Sequence, residues 1–499
     1  MTGASSMIAT DALVVLVALP SIQRSLDSSP AAVQWIVTAY LLSFAGAGAL
    51  GGRAGDAFGH RRTFLFGTML FVVASVAAGF AQSEGWLIAA RAAQGTGGAI
   101  LRPACFVLIV EEFGRHQRGR AMGFSSSVST MFYSLAPLIG GALTTAFSWR
   151  AVFFINPPLG IAAVILARRL LAPEPRRHER VDWAAAPLLI GGLVCVVLAL
   201  MQARYWRWSS PAVISLLAVG AALLGLLFRR ERRRPDPLIR FALFRLKEYS
   251  VGAAVISTVR FSFVGFSVFG VIWLQDVLGK SALEAGLWVL PLTLPTMLCA
   301  PLGGWLYDRA GPRLPLGIGM ILCLGALLWA AAVLHQQSLA WLLPSYCALG
   351  AGVGMAVSPA WTTALNGVPQ SVRAAAAGMV QTCREVSAAF GLAVLGAVVA
   401  QQQNARLRQV LDQYGRVPAD QYDRVERSIG KAVTASEQGT SLPASIPSDL
   451  LPALKGATTA AVSTAYYVAA GVLFVAAAGV ALLPGKAQVE AERDRDEAA

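Results

Sequence analysis

The segment Gly52-Arg53-Ala54-Gly55-Asp56-Ala57-Phe58-Gly59-His60-Arg61-Arg62 has an echo 252 positions on, counted from Asp56 to Asp308. Gly304, Asp308, Gly311 and Arg313 stand at the spacing of Gly52, Asp56, Gly59 and Arg61. Each copy lies between two long apolar stretches. A second pair of marks, Arg118 with Gly123 and Arg373 with Gly378, repeats at 255 and opens an apolar run each time. A membrane unit duplicated with a charged hairpin in each copy implies a two-repeat helical carrier architecture.

The charge balance agrees. Only 14% of the 499 residues are charged and 56% are hydrophobic, with a mean hydropathy of +0.59; a soluble chain carries about 25% charge. Most of this surface therefore meets lipid. The net charge of +14 sits in short gaps between apolar runs, with no basic face interleaved with aromatics, which excludes a nucleic-acid partner. The six cysteines lie inside apolar runs without a CxxC pair, and the four histidines are scattered over loops. No metal site is expected.

Apolar runs of about 18–25 residues number roughly fourteen. They centre on 4–22, 31–52, 63–82, 85–110, 121–146, 151–170, 184–203, 211–228, 250–275, 285–306, 315–334, 340–363, 376–400 and 459–483. No cleavable signal is evident: Ala18-Leu19-Pro20 leads into a span boundary. With the amino terminus inside, the inner loops collect about 22 Lys and Arg and the short outer loops about 5, a bias that fixes orientation. Both termini are then cytoplasmic. The repeat marks divide the chain into a six-span half at 1–172, a two-span insert with basic loops at 173–248, a second six-span half at 249–485 and a tail at 486–499. The gap at 402–457 reads as an extracellular loop. The basic loop after span eight, from Arg229 to Lys247, reads as a topological and lipid-facing element.

Several ordered motifs resemble the fourteen-span drug:proton antiporter branch of the major facilitator superfamily. They are Asp11 with Val17-Ala18-Leu19-Pro20, Trp35 with Tyr40-Leu41-Leu42, the hairpin at 52–62, and Arg91-Ala92-Ala93-Gln94-Gly95-Thr96-Gly97-Gly98. Further along come Trp149-Arg150-Ala151-Val152-Phe153-Phe154-Ile155-Asn156-Pro157-Pro158-Leu159-Gly160, Asp182-Trp183, Leu274-Gln275 with Gly279, and Ala285-Gly286. The likeness implies an all-α major facilitator fold in a bacterial inner membrane, a carrier rather than an enzyme. It implies no cofactor, a proton gradient as the energy source and a small-molecule substrate. The remaining partners are protons and membrane lipids, and the expected state is a monomer. No GxxxxGK[ST] loop for ATP is present. The chain departs from the branch at Ala136-Pro137-Leu138-Ile139-Gly140-Gly141, where Gly-Pro is usual, and at Phe132 where a glycine is usual. Both add bulk to a helix-packing motif built on Pro137, Gly140 and Gly141. Leu13 and Leu16 replace polar residues in span one and favour an apolar substrate. Ala57 replaces a basic residue.

Ionisable groups within spans cost at least about 2.5 kcal/mol each on insertion scales, so each needs a reason. Asp11 lies about 14 Å along the helix from Pro20, near mid-depth. It serves either as the proton-coupling carboxylate or as a fixed ion-pair partner, and Arg91, at matching depth, is its expected partner. Glu385, beside Arg384, is a second titratable candidate; adjacent residues point about 100° apart, so at most one of the two squarely faces a cavity. Arg260, mid-span, needs an acid, Glu385 or Asp11. Arg102 is read as snorkelling to the headgroups or as a further cavity charge. Arginines around a cavity argue against a purely cationic specificity. The hairpin residues Asp56, Arg61, Arg62, Asp308, Arg309 and Arg313 form either a charge latch against neighbouring helix ends or simple polar turns. The reading is proton-coupled efflux of small lipophilic compounds. A dedicated exporter or importer of one metabolite, or a non-transporting sensor, are the alternatives.

Overall fold

The computed structural model describes residues 2–28, 30–113, 117–172, 186–206, 209–232, 241–280, 284, 287–288, 290–414 and 451–483. Asp182, Trp183, Ala285, Gly286, Arg233, Arg234, Arg240, the segment 415–450 and the tail 486–499 lie outside the described residues. Among the described residues there is no strand. The long helices are α1 (Thr2–Ser25), α2 (Pro30–Phe58), α3 (His60–Gly79), α4 (Glu84–Glu112), α5 (Arg118–Ala146), α6 (Ala151–Phe154) with α7 (Asn156–Leu170), α8 (Ala186–Trp206) and α9 (Pro211–Glu231). They continue as α10 (Lys247–Asp276), α11 (Leu290–Ala310), α12 (Arg313–Val333), α13 (Leu339–Asn366), α14 (Arg373–Tyr414) and α15 (Leu451–Val480). Eleven helical stretches among the described residues are long and apolar enough to cross a membrane, with α6 and α7 forming one of them. The break at Ile155 precedes Pro157 and Pro158, whose rings suit only the first turn of a helix.

The two halves pack alike. In the first, α4 lies against α2 and α3, and α7 against α3; in the second, α13 lies against α11 and α12, and α15 against α12. The halves meet along two seams, α2 with α14 and α5 with α11. Helices α8 and α9 pair with each other, and α8 rests on both α2 and α14. There Leu189 and Leu193 join Ala49 and Leu227 in an apolar cluster that also takes in Val386.

One boundary needs correcting. Helix α14 runs unbroken to Tyr414 and α15 starts at Leu451, so both ends of the segment read as a loop at 402–457 are helical. Gln, Ala, Arg and Leu, which make up most of 401 to 410, are good helix formers, and polar composition ends an apolar span without ending its helix. The hairpins are shorter than their sequence implies. Helix α2 turns into α3 through Gly59 (φ 93°) and α11 into α12 through Gly311 (φ 75°) with Pro312. The left-handed backbone at the two equivalent positions is what requires glycine in each copy.

Candidate functional site: a central cavity and its closed end

A cavity of about 240 Å³ lies between the halves. Tyr40, Phe44, Arg102, Phe106 and Tyr133 line it from the first half; Arg260, Phe263, Trp361, Arg384 and Glu385 line it from the second. Ser125, Ser129 and Thr130 of α5 face Thr293 and Thr296 of α11 across it. Phe106 and Trp361 stack with centroids 4.1 Å apart, an apolar contact from α4 to α13. Among the aromatics of the spans, Phe44, Tyr133 and Trp361 reach the cavity. Phe266 instead packs between Tyr346 and Tyr466, and Phe261 against Phe390. Leu16 is exposed and is not a lining residue, and Leu13's side chain lies outside what is described.

Four charges share this space. Arg384 Nη1 donates to Glu385 Oε1 at 3.0 Å, and Gln381 Nε2 donates to the same oxygen at 2.8 Å. Both neighbours therefore line the cavity, against the expectation that only one does; long side chains fold toward each other and offset the 100° between their helix positions. Arg102 does not snorkel. It sits one turn from Phe106 on the same face of α4, with its guanidinium carbon 5.7 Å from that ring centroid, and it lines the cavity. Arg260 lines the cavity with Glu385 and pairs with neither Glu385 nor Asp11 among the described residues.

Asp11 lies apart from the cavity. Its carboxylate is fully buried, paired with Arg91 Nη1 at 2.5 Å. Its Oδ1 accepts from Gln94 Nε2 at 2.8 Å and Asn156 Nδ2 at 3.0 Å. Asn156 Nδ2 also reaches Ser75 Oγ, whose hydroxyl donates to Phe153 O. Four helices, α1, α3, α4 and α7, are thus tied by one polar cluster. The Arg91 guanidinium stands 4.2 Å from the Tyr40 ring centroid, and Tyr40 is itself a cavity wall with a buried, unpartnered hydroxyl. One aromatic ring separates the buried pair from the cavity. Gln94 and Asn156 stood in the sequence motifs without a role assigned; their amides at matching depth were the available signal.

At the loop end the halves are closed by two equivalent caps. Asp56 Oδ1 and Oδ2 accept from Ala374 N (2.9 Å) and Ala375 N (2.8 Å), the opening turn of α14. Asp308 Oδ1 and Oδ2 accept from Gly119 N and Arg120 N (both 3.0 Å), the opening turn of α5. Each carboxylate satisfies orphan N–H groups and meets the positive end of a helix belonging to the other half. Close backbone approach makes this possible: a Cβ at Gly52 would run into Ala374 O, and one at Gly304 into Gly119 O. Arg118 Nη1 to Asn366 Oδ1 (2.9 Å) and Gln370 Nε2 to Glu111 Oε1 (3.2 Å) add contacts across the same end. The basic members stand aside. Arg61 donates to Arg168 O within its own half, Arg309 covers Trp305, and Arg62 and Arg313 are exposed.

In the 136–141 motif, Ala136 is buried and Gly140 carries the helix contact, since a Cβ there would sit 3.0 Å from Val14 O of α1. Gly141 faces open space, and Pro137's side chain lies outside what is described.

The family model described as the Major Facilitator Superfamily matches residues 1–392. The chain belongs to this superfamily. It is 35% identical over 398 residues to the tetracenomycin C resistance and export protein of Streptomyces glaucescens, covering 79% of this chain and 74% of that one. It is 31% identical over 441 residues to the multidrug resistance protein Stp of Mycobacterium tuberculosis, covering 88% and 82%. Among solved structures, the proton:xylose symporter XylE superposes with a TM-score of 0.62 at 14% identity, covering 98% of this chain and 97% of that one. The two halves, the seams and the central cavity are accordingly those of a multi-pass major facilitator carrier.

Proposed function

We propose that this carrier exports small, largely apolar compounds across the bacterial inner membrane by alternating access, driven by inward proton movement. The observation that carries the reading is the paired capping of α14 by Asp56 and of α5 by Asp308. Hydrogen bonds that reach to the opposite half stabilise one of two rigid-body arrangements and break in the other. Kinship with a tetracenomycin C export protein and a multidrug resistance protein supports export of such compounds. With the basic loops inside, the closed end is cytoplasmic and the state is outward-facing. Counting α5, α8 and α11 with the eleven apolar stretches gives fourteen spans. The chain acts as a monomer.

The coupling group is Asp11 with Arg91. A proton arriving at Asp11 releases Arg91, and Arg91 bears on Tyr40, which bears on the cavity. Glu385 sets the charge of the cavity itself. The reading is checked in energised cells loaded with a fluorescent lipophilic compound. Efflux should require this protein and stop when a protonophore collapses the gradient. Efflux that continues unchanged after collapse would refute proton drive.

A further inference from the structure

We propose that the cavity selects organic anions, compounds with a flat apolar body and a carboxylate or comparable anionic group, held between Arg102 of α4 and Arg260 of α10. The inference rests on the cavity being the transport site and adds its substrate class.

The cavity holds three guanidiniums and one carboxylate. Glu385 hydrogen-bonds to Arg384 and Gln381 while also facing Arg102 and Arg260, so three cations share a single negative charge. Arg102 Nε and Arg260 Nε are both buried and have no hydrogen-bond partner among the described residues. Neither guanidinium forms an ion pair among the described residues. An excess of positive charge within the spans is costly, and a buried donor left unpaired adds to that cost. A ligand carboxylate removes both penalties at once and suits the planar donor edge of arginine. The apolar body has its own place, against the stacked Phe106 and Trp361 with Phe44 and Phe263 beside them. A cationic ligand would have to approach three guanidiniums with a single, already paired carboxylate to receive it.

The two arginines come from opposite halves, so a bridging anion draws α4 toward α10. Protonating Glu385 would remove a negative neighbour and strengthen anion binding. Exchange of an anion for protons therefore needs a proton site other than Glu385, which is the role given to Asp11.

The test is equilibrium binding to the full-length protein in nanodiscs without any gradient, using three probes on one scaffold: 9-anthracenecarboxylate, 9-anthracenecarboxamide and 9-anthracenylmethylammonium. The carboxylate should bind at least about tenfold more tightly than the ammonium. Arg102→Gln with Arg260→Gln should weaken the carboxylate by about tenfold or more and move the neutral amide by less than about threefold. Arg260→Lys should recover part of the loss. The amide serves as the folding control, and the wild-type ranking stands without any variant. Ammonium binding equal to or tighter than carboxylate binding would overturn the proposal, as would carboxylate binding unchanged in the double variant. Because no gradient is applied, failure of proton coupling shows in the efflux assay and leaves these outcomes readable.

Discussion

Asp56→Ala combined with Asp308→Ala should open the end of the molecule that the two caps now close. Each acid is a charged cap on two backbone N–H groups of the other half. Removing a cap and its interaction with the helix dipole costs about 0.5–2 kcal/mol, and both together about 1–4 kcal/mol. Since about 1.4 kcal/mol is a factor of ten, the ratio of closed to open arrangements should fall by about fivefold to several hundredfold. Spin labels at positions 62 and 313, which are exposed and lie on opposite halves beside the caps, would report it in a background without the six cysteines. The double variant should gain a longer-distance population, with each single variant between it and the parent. An unchanged distance distribution would mean that the close seams at Gly52 and Gly304 hold the end shut alone.

The largest effect on stability is expected at Asp11. Asp11→Ala strands Arg91, 1% exposed, in the interior of the first half and deprives Gln94 and Asn156 of their shared acceptor. Breaking one side of a buried pair costs about 3–5 kcal/mol. Thermal unfolding of the purified protein should therefore shift sharply downward. Asp11→Leu with Arg91→Met, which removes both charges, should recover most of that loss, because apolar replacement of a whole buried pair is close to neutral. A single variant as stable as the parent would show that the pair contributes little to holding α1 against α4.

These two sites differ in how far the sequence reveals them. Asp11 and Arg91 were paired by depth along helices whose adjacency the family likeness implies, and the structure joins them. Asp56 and Asp308 were visible as repeat marks, since glycines at 59 and 311 and acids three residues before them recur at one offset. Their donors are not visible, because backbone N–H groups carry no side-chain signature and those capped by Asp56 lie more than 300 positions away. The charged hairpin thus reads as a cluster of acids and bases, whereas Asp56 and Asp308 are the members that cap helices of the other half. Arg102 shows a further limit. A lone arginine in the inner part of an apolar run fits a snorkelling side chain as well as a cavity wall. Only the placement of α4 beside the opposite half, with Phe106 on the same face meeting Trp361, separates the two. The role of α8 in bridging α2 and α14 was equally hidden, since an insert without a repeat partner carries no mark of where it docks.

The central claim, that substrate export is exchanged for protons through Asp11, is tested most directly in proteoliposomes under an imposed pH gradient. Proton movement is followed as a lipophilic substrate is added to wild type and to Asp11→Asn. The account predicts substrate-evoked movement in wild type and its loss in the variant, with substrate binding retained because Asp11 lies outside the cavity. Movement of equal size in Asp11→Asn, or none in wild type with a substrate that demonstrably binds, would contradict it.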